Sequence, residues 1–218
     1  MIAVIDYCKG NLKSVERGLQ SAGADAHITD DPQKIATADA LVLPGVGSFA
    51  DAARTMIETG QMEAIQTAIR AGKPFLGICL GQHLLFAEGT EHAPEIGAMP
   101  GLGLIDGIVD KMPDRDTLGH AYKIPHVGWN AVEFEEGTSP LFEGIPAGEY
   151  FYFTHSYIAP DTDATIATTT HSITFPSAVQ MGDRVFGVQF HPEKSSDAGA
   201  RLLKNFVDFA KSLAPKSE

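Results

Sequence analysis

Cysteine is scarce, with only Cys8 and Cys79 in 218 residues. So few thiols cannot build a disulfide framework, and both are expected to be free in a reducing compartment. Basic residues are in deficit too: 16 Lys and Arg face 28 Asp and Glu, a formal charge of −12. That balance repels phosphate backbones and anionic membrane surfaces, and no basic patch offsets it. Long apolar runs are missing, since nothing approaches the roughly 20 residues of a bilayer span. The stretch Ile2-Ala3-Val4-Ile5 meets Asp6 without the basic segment and apolar length of a signal peptide. A cytoplasmic location is the expectation. Repeats, low-complexity tracts and linkers are absent, so the acidity reads as a solvated surface.

What remains is an ordinary globular composition, 44% hydrophobic and 20% charged, with length for one core. One domain over residues 1–214 is expected, with a short frayed tail at 215–218. In the first ninety residues, short apolar runs alternate with helical periods, the pattern of a parallel sheet covered by helices. Strands are expected at 2–7, 24–28, 40–43 and 75–79. Asn11 can cap a helix carrying Leu12, Val15, Leu19 and Ala22 on one face, with Gly23 to end it. Met62, Ile65 and Ile69 mark another helical face, closed by Gly72. From about residue 100 to 191 the runs become aromatic and β-branched, as at 129–134 and 150–158, and read as further strands. Ser195 or Ser196 can cap a last helix whose apolar face is Leu202, Leu203, Phe206, Ala210 and Leu213.

Gly77-Ile78-Cys79-Leu80-Gly81 stands where a strand hands over to the helix carrying Leu84 and Leu85, which is the nucleophile-elbow pattern with cysteine for serine. Flanking glycines allow the tight turn, a helix N-terminus favours the thiolate, and the backbone N–H of Leu80 is a natural oxyanion donor. A cysteine ending such a run is also commonly a small buried hydrophobe, and the segment alone leaves both readings open. A thiolate needs a base. His191 follows the apolar run 185–190 and precedes Pro192-Glu193, so an imidazole and an orienting carboxylate leave one strand together. Alone, that string also fits a turn histidine beside a surface glutamate. Pro44-Gly45-Val46-Gly47-Ser48-Phe49 is a glycine-rich exit from a strand whose N–H groups could complete an oxyanion site. It is too short for a nucleotide phosphate loop. Cys8 also follows a strand but lacks flanking glycines. No pair of cysteines joins the histidines at metal-binding spacing, so neither metal nor cofactor is expected.

Together these three segments resemble the class I (triad) glutamine amidotransferases. Four further stretches resemble the branch whose members are glutaminase subunits in histidine biosynthesis: Asp6-Tyr7 with Gly10-Asn11-Leu12, residues 126–130 (HVGWN), residues 152–157 (YFTHSY) and residues 175–179 (FPSAV). The similarity spans essentially the whole chain. It implies a flavodoxin-like α/β fold: a central, mostly parallel sheet with helices on both faces and added antiparallel strands in the second half. It implies that Cys79 attacks the glutamine side-chain amide, that His191 accepts and returns the proton, and that Glu193 orients the imidazole. Oxyanion stabilisation falls to the backbone of Val46 and Leu80, in a turn that rearranges when the synthase is active. Gly45, Gly47, His83, Glu91, Ser156 and Tyr157 fall in the glutamine pocket.

The implied partner is a separate (β/α)-barrel cyclase subunit that forms a heterodimer with the chain and receives ammonia through a channel. Asn11, Trp129, Tyr152 and Lys194 match positions at that contact; read blandly, the two aromatics are core residues and Lys194 a solvated charge. Where the family has glutamine, four residues after the nucleophile, this chain has His83, and altered affinity or pH response is expected. Cys8 stands at a customary glycine. Chorismate-pathway amidotransferase subunits (anthranilate or aminodeoxychorismate synthase) share the nucleophile and the His-Pro-Glu string. A non-catalytic homologue that only regulates a partner is the third alternative.

Overall fold

The structure, a computed structural model, describes residues 1–8, 11–94 and 97–213. Lys9, Gly10 and the expected tail at 215–218 therefore lie outside the described residues.

The chain opens as alternating strands and helices: β1 (Ile2–Ile5), α1 (Leu12–Ser21), β2 (Ala26–Thr29), α2 (Pro32–Thr37), β3 (Ala40–Gly45), α3 (Phe49–Glu58), α4 (Gln61–Arg70), β4 (Phe75–Cys79) and α5 (Leu80–His83). Each helix has a local cause. Asp31 accepts from Gln33 N–H and Pro32 preorganises the first turn of α2. Ser48 caps α3, its hydroxyl also donating to Asp51 at 2.7 Å. Asn11 heads α1 without a side-chain cap, so that helix is held by Val15 and Leu19, fully buried on its inner face.

Strands dominate the rest of the chain: β5 (Phe86–Gly89), β6 (Met99–Pro100), β7 (Ile105–Lys111), β8 (His126–Val132), β9 (Glu149–His155), β10 (Tyr157–Ile158), β11 (Thr165–Thr170), β12 (Thr174–Met181) and β13 (Val185–Val188), before the closing helix α6 (Ser196–Ser212). A seven-stranded sheet runs β11-β12-β13-β4-β3-β1-β2. From β13 to β2 its neighbours are parallel, while β12 and β11 add antiparallel edge strands. Alternate residues face two separate cores. Val4, Val42, Leu76 and Phe186 pack against Leu19 of α1 and Leu202 and Phe206 of α6, while Ala3, Ile5, Leu41 and Phe75 meet α2, α3 and α4. Each large side chain so buried contributes about 1.5–3 kcal/mol, which is why the sheet centre is nearly all apolar.

The expected parallel sheet, helices on both faces and antiparallel second half are all present. Four details differ. The segment after Cys79 is a single helical turn ending at His83, with Leu84 and Leu85 beyond it. The run at 150–158 is broken at Ser156 into β9 and β10, which belong to different sheets. Ser195 heads α6 but sends its hydroxyl to His191 rather than into the helix. Leu213, expected on the core face of the last helix, lies past its end and is exposed.

Candidate active site

Three adjacent parallel strands, β13, β4 and β3, end side by side, and Gly45 pairs in register with Cys79 while Val188 pairs with Ile78. The chain segments leaving those ends therefore meet at the carboxyl edge of the sheet, where open α/β sheets bind their ligands. Cys79 is the last residue of β4 and turns the chain at φ 55 and ψ −105, a sparsely populated conformation for a residue with a Cβ. The flanking glycines are steric necessities: a Cβ on Gly77 would overlap the Gly81 carbonyl, and one on Gly81 the Leu43 carbonyl. The sharp turn leaves Cys79 on the wall of a cavity of about 280 Å³ shared with Val46, Gly47, Leu80, His83, Glu91, Pro125, Thr154, His155, Ser156 and Tyr157.

His191 follows β13 and is buried beside the thiol. Its Nδ1 lies 2.9 Å from Glu193 Oε1, with both side chains almost fully enclosed. A carboxylate accepts, so Nδ1 carries the hydrogen and Nε2 is left to exchange a proton with the sulfur. Burial pulls the imidazole pKa down, but the Cys79 thiolate and the Glu193 carboxylate outweigh it and hold the pKa well above the usual histidine value.

The histidine's backbone is braced. Its N–H donates to Tyr152 O at 2.9 Å. Ser195 Oγ donates to His191 O at 2.6 Å and accepts from Tyr152 N at 3.0 Å. Ser195→Ala removes the partner of the half-buried Tyr152 N–H and one of two donors to His191 O, which keeps Lys194 N–H at 3.0 Å, so an unfolding stability lower by about 1–2 kcal/mol is expected in urea denaturation.

A second network supports the opposite wall. His155 Nδ1 donates to Tyr157 O at 2.9 Å, which makes its Nε2 an acceptor for His126 Nδ1 at 3.0 Å, and His126 Nε2 then accepts from Asn130 at 3.3 Å. Every proton runs one way, so both rings are neutral. Burial lowers the pKa to about 4 at His126 and about 3 at His155.

Of the expected pocket residues, Gly47, His83, Glu91, Ser156 and Tyr157 line the cavity with Cys79, Leu80 and Val46. Gly45 does not; it is wedged behind, where a Cβ would meet the Tyr7 hydroxyl and Leu80. Glu91 accepts from Phe49 N at 3.1 Å, and burial raises its pKa. His83 is buried and held neutral, its pKa pushed down to about 4, so the expected change in pH response does not arise from this group between pH 5 and 8. Gln82 donates to Pro176 O at 3.5 Å, away from the cavity. Cys8 is exposed and off the cavity wall. Sequence reasoning did not place Thr154, His155 and Pro125 on that wall.

Trp129 is 51% exposed, and Tyr152 lies directly across from it in the β8–β9 pair. The two rings meet edge to face with centroids 6.3 Å apart, and Lys194 Nζ stands 5.7 Å over the Tyr152 ring. Trp129 is thus no core residue. Val127 and Tyr150, both more than half exposed, lie on the same face of this hairpin. Asn11 is exposed at the head of α1, which packs near the 192–194 turn. Among the described residues, no helix is long and apolar enough to cross a membrane.

Comparison with known proteins agrees with this geometry. A crystal structure described as a glutamine amidotransferase superposes with a TM-score of 0.71 at 19% identity, over 97% of this chain and 100% of that one, and supports the fold. The chain is 45% identical over 211 residues to imidazole glycerol phosphate synthase subunit HisH of Syntrophotalea carbinolica, covering 95% of this chain and 100% of that one. It is 46% identical over 215 residues to the subunit of the same name from Caldanaerobacter subterraneus subsp. tengcongensis, covering 98% and 100%. The family model for glutamine amidotransferase class-I matches residues 3–209. An elbow cysteine, an enclosed histidine–glutamate pair and near-complete overlap with these relatives place the chain in the class-I glutamine amidotransferase family, among the HisH subunits.

Proposed function

We propose that the chain is the glutaminase subunit of an imidazole glycerol phosphate synthase, freeing ammonia from glutamine for a cyclase partner in histidine biosynthesis. The observation that carries the chemistry is the enclosed His191–Glu193 pair set beside Cys79, which turns onto the cavity wall. The Cys79 thiolate adds to the glutamine Cδ, and the carbonyl π electrons move onto oxygen. His191 gives its Nε2 proton to the departing nitrogen as the C–N bond breaks, releasing ammonia and leaving a thioester. Water then attacks that thioester, His191 takes its proton, and the C–S bond breaks to release glutamate and regenerate the thiolate. The backbone N–H groups of Val46 and Leu80, each one residue past the register pair Gly45 and Cys79, receive the oxyanion. Ser156 and Tyr157 hold the α-carboxylate through their backbone, and Glu91 takes the amino group.

The partner is a (β/α)-barrel cyclase that docks on Asn11, Trp129, Tyr152 and Lys194. Large exposed aromatics on one hairpin face support that surface. Its coupling to catalysis is direct, because Tyr152 O holds the His191 N–H. A free glutaminase would waste glutamine, so the oxyanion turn at 44–47 is incomplete until the partner and its nucleotide ligand bind. One oxyanion donor is worth about 10²–10³ in rate. Adding cyclase and its nucleotide ligand is therefore expected to raise glutamate release by about 10²-fold or more over the lone chain. Equal rates would sink the coupling, and failure of a glutamine-analogue electrophile to label Cys79 in the complex would sink the enzyme reading.

A further inference from the structure

Gln189 stands two residues before His191, fully buried, and no step of the glutaminase reaction employs it. Its backbone N–H is engaged by Ser177 O at 2.9 Å. Its side chain reaches two groups of the site at once: Nε2 is 3.7 Å from Cys79 Sγ, and Oε1 is 2.7 Å from His83 Nε2. Chemistry fixes which end points where. A thiolate only accepts, so the amide NH₂ must face the sulfur; the reverse orientation would set two acceptors against each other. Oε1 then faces His83, whose Nε2 must carry the hydrogen. A neutral imidazole can hold its proton there, and burial keeps His83 neutral.

We propose that Gln189 is a positioning residue that donates to the Cys79 thiolate from within the protein, and that His83 locks its amide in the donating orientation. The proposal rests on Cys79 being the nucleophile. A hydrogen bond to a charged acceptor in a buried site is stronger than one between neutral groups, so the donor favours the thiolate over the thiol. The other titratable groups around the sulfur act separately. His191 with Glu193 supplies the counter-charge from the segment after β13, and Tyr7 faces the sulfur from the end of β1. Glu91 and His155 lie on the shared cavity wall. His83 belongs to both arrangements, lining the cavity and gripping Gln189. A glutamine in its place would offer an amide N–H to the same oxygen.

The test is the pH profile of Cys79 alkylation by iodoacetamide on the full chain. It is read on the Cys79 peptide by mass spectrometry, because Cys8 is exposed and reacts as well. Gln189→Leu is expected to move the profile to higher pH, slowing alkylation on its acid limb about tenfold while keeping the alkaline plateau. His83→Leu moves it the same way by less, and His83→Gln stays within about twofold of the parent. A folded Gln189→Leu whose profile superimposes on the parent overturns the proposal. If that variant does not fold, identical profiles for His83→Leu and His83→Gln overturn it. A parent Cys79 inert at every pH removes the nucleophile reading instead.

Discussion

Cys79→Ala is expected to reduce partner-stimulated glutaminase activity by about 10⁴-fold or more, with the melting temperature changed by only a few degrees. The two halves of that result have separate causes. Sulfur is the sole atom lost that forms the thioester, and the only other thiol, Cys8, is exposed and off the cavity wall. The Cβ that defines the strained turn is retained, so the elbow at φ 55 still forms. Triad members act as a unit, so Cys79→Ala combined with His191→Ala should be no slower than either alone. Glutamate release, assayed with saturating cyclase and its nucleotide ligand, measures it. Residual activity above about 1% would show that another group attacks the amide.

The same elbow shows why parts of this molecule are legible in its sequence. Phe75–Cys79 is a run whose every residue is buried, ended by a glycine-cysteine-glycine spacing that permits only one kind of turn. Such patterns are local, so sequence conveys them. The His191–Glu193 pair was legible for the same reason, because two residues of separation suffice for the contact. Long-range assembly is not local. The β9–β10 break at Ser156 is set by partners in different sheets, since Tyr157 pairs with Lys111 while His155 pairs with His126. No periodicity within 150–158 carries that information.

Gln189 and His155 show where a signal was present but unread. A lone amide inside the apolar run 185–190 must find buried partners, and the partners lie about 110 residues away at Cys79 and His83. His126 and His155 sit directly opposite in register, which a hairpin pairing of 126–132 with 149–155 would have revealed. Gly45 differs in the other direction: the resemblance sets it in the glutamine pocket, whereas it lies behind the cavity, its missing Cβ making room for Tyr7 and Leu80. A motif glycine can serve packing under a site rather than the ligand within it.

Those buried histidines carry the second large effect, a loss of stability in mild acid. His83, His126 and His155 have folded-state pKa values of about 4, 4 and 3, against 6.5 for the free side chain. Below pH 6.5 the unfolded chain binds protons that the native rings refuse, so stability is complete above that value and falls as pH drops toward 4. At pH 5 a fully enclosed ring costs about 2 kcal/mol and His126, more open to solvent screening, somewhat less, so the three together cost on the order of 5 kcal/mol, comparable to the whole stability of a domain. His191 compensates only in part. Its raised pKa stabilises the fold most below 6.5, and most of that contribution is already present at pH 7. The lowered carboxylates of Glu16 and Asp39 add their loss only below about their free values of 4.5 and 3.8. Thermal melts should therefore fall by roughly 10–20 °C between pH 7.5 and 5. His126→Gln with His155→Gln should flatten the slope, because a glutamine amide has no proton to gain. A melting temperature constant within about 2 °C over that interval would mean that the three rings take up protons in the native protein as readily as in the unfolded chain, and that the one-way chain from Asn130 to Tyr157 is wrongly drawn.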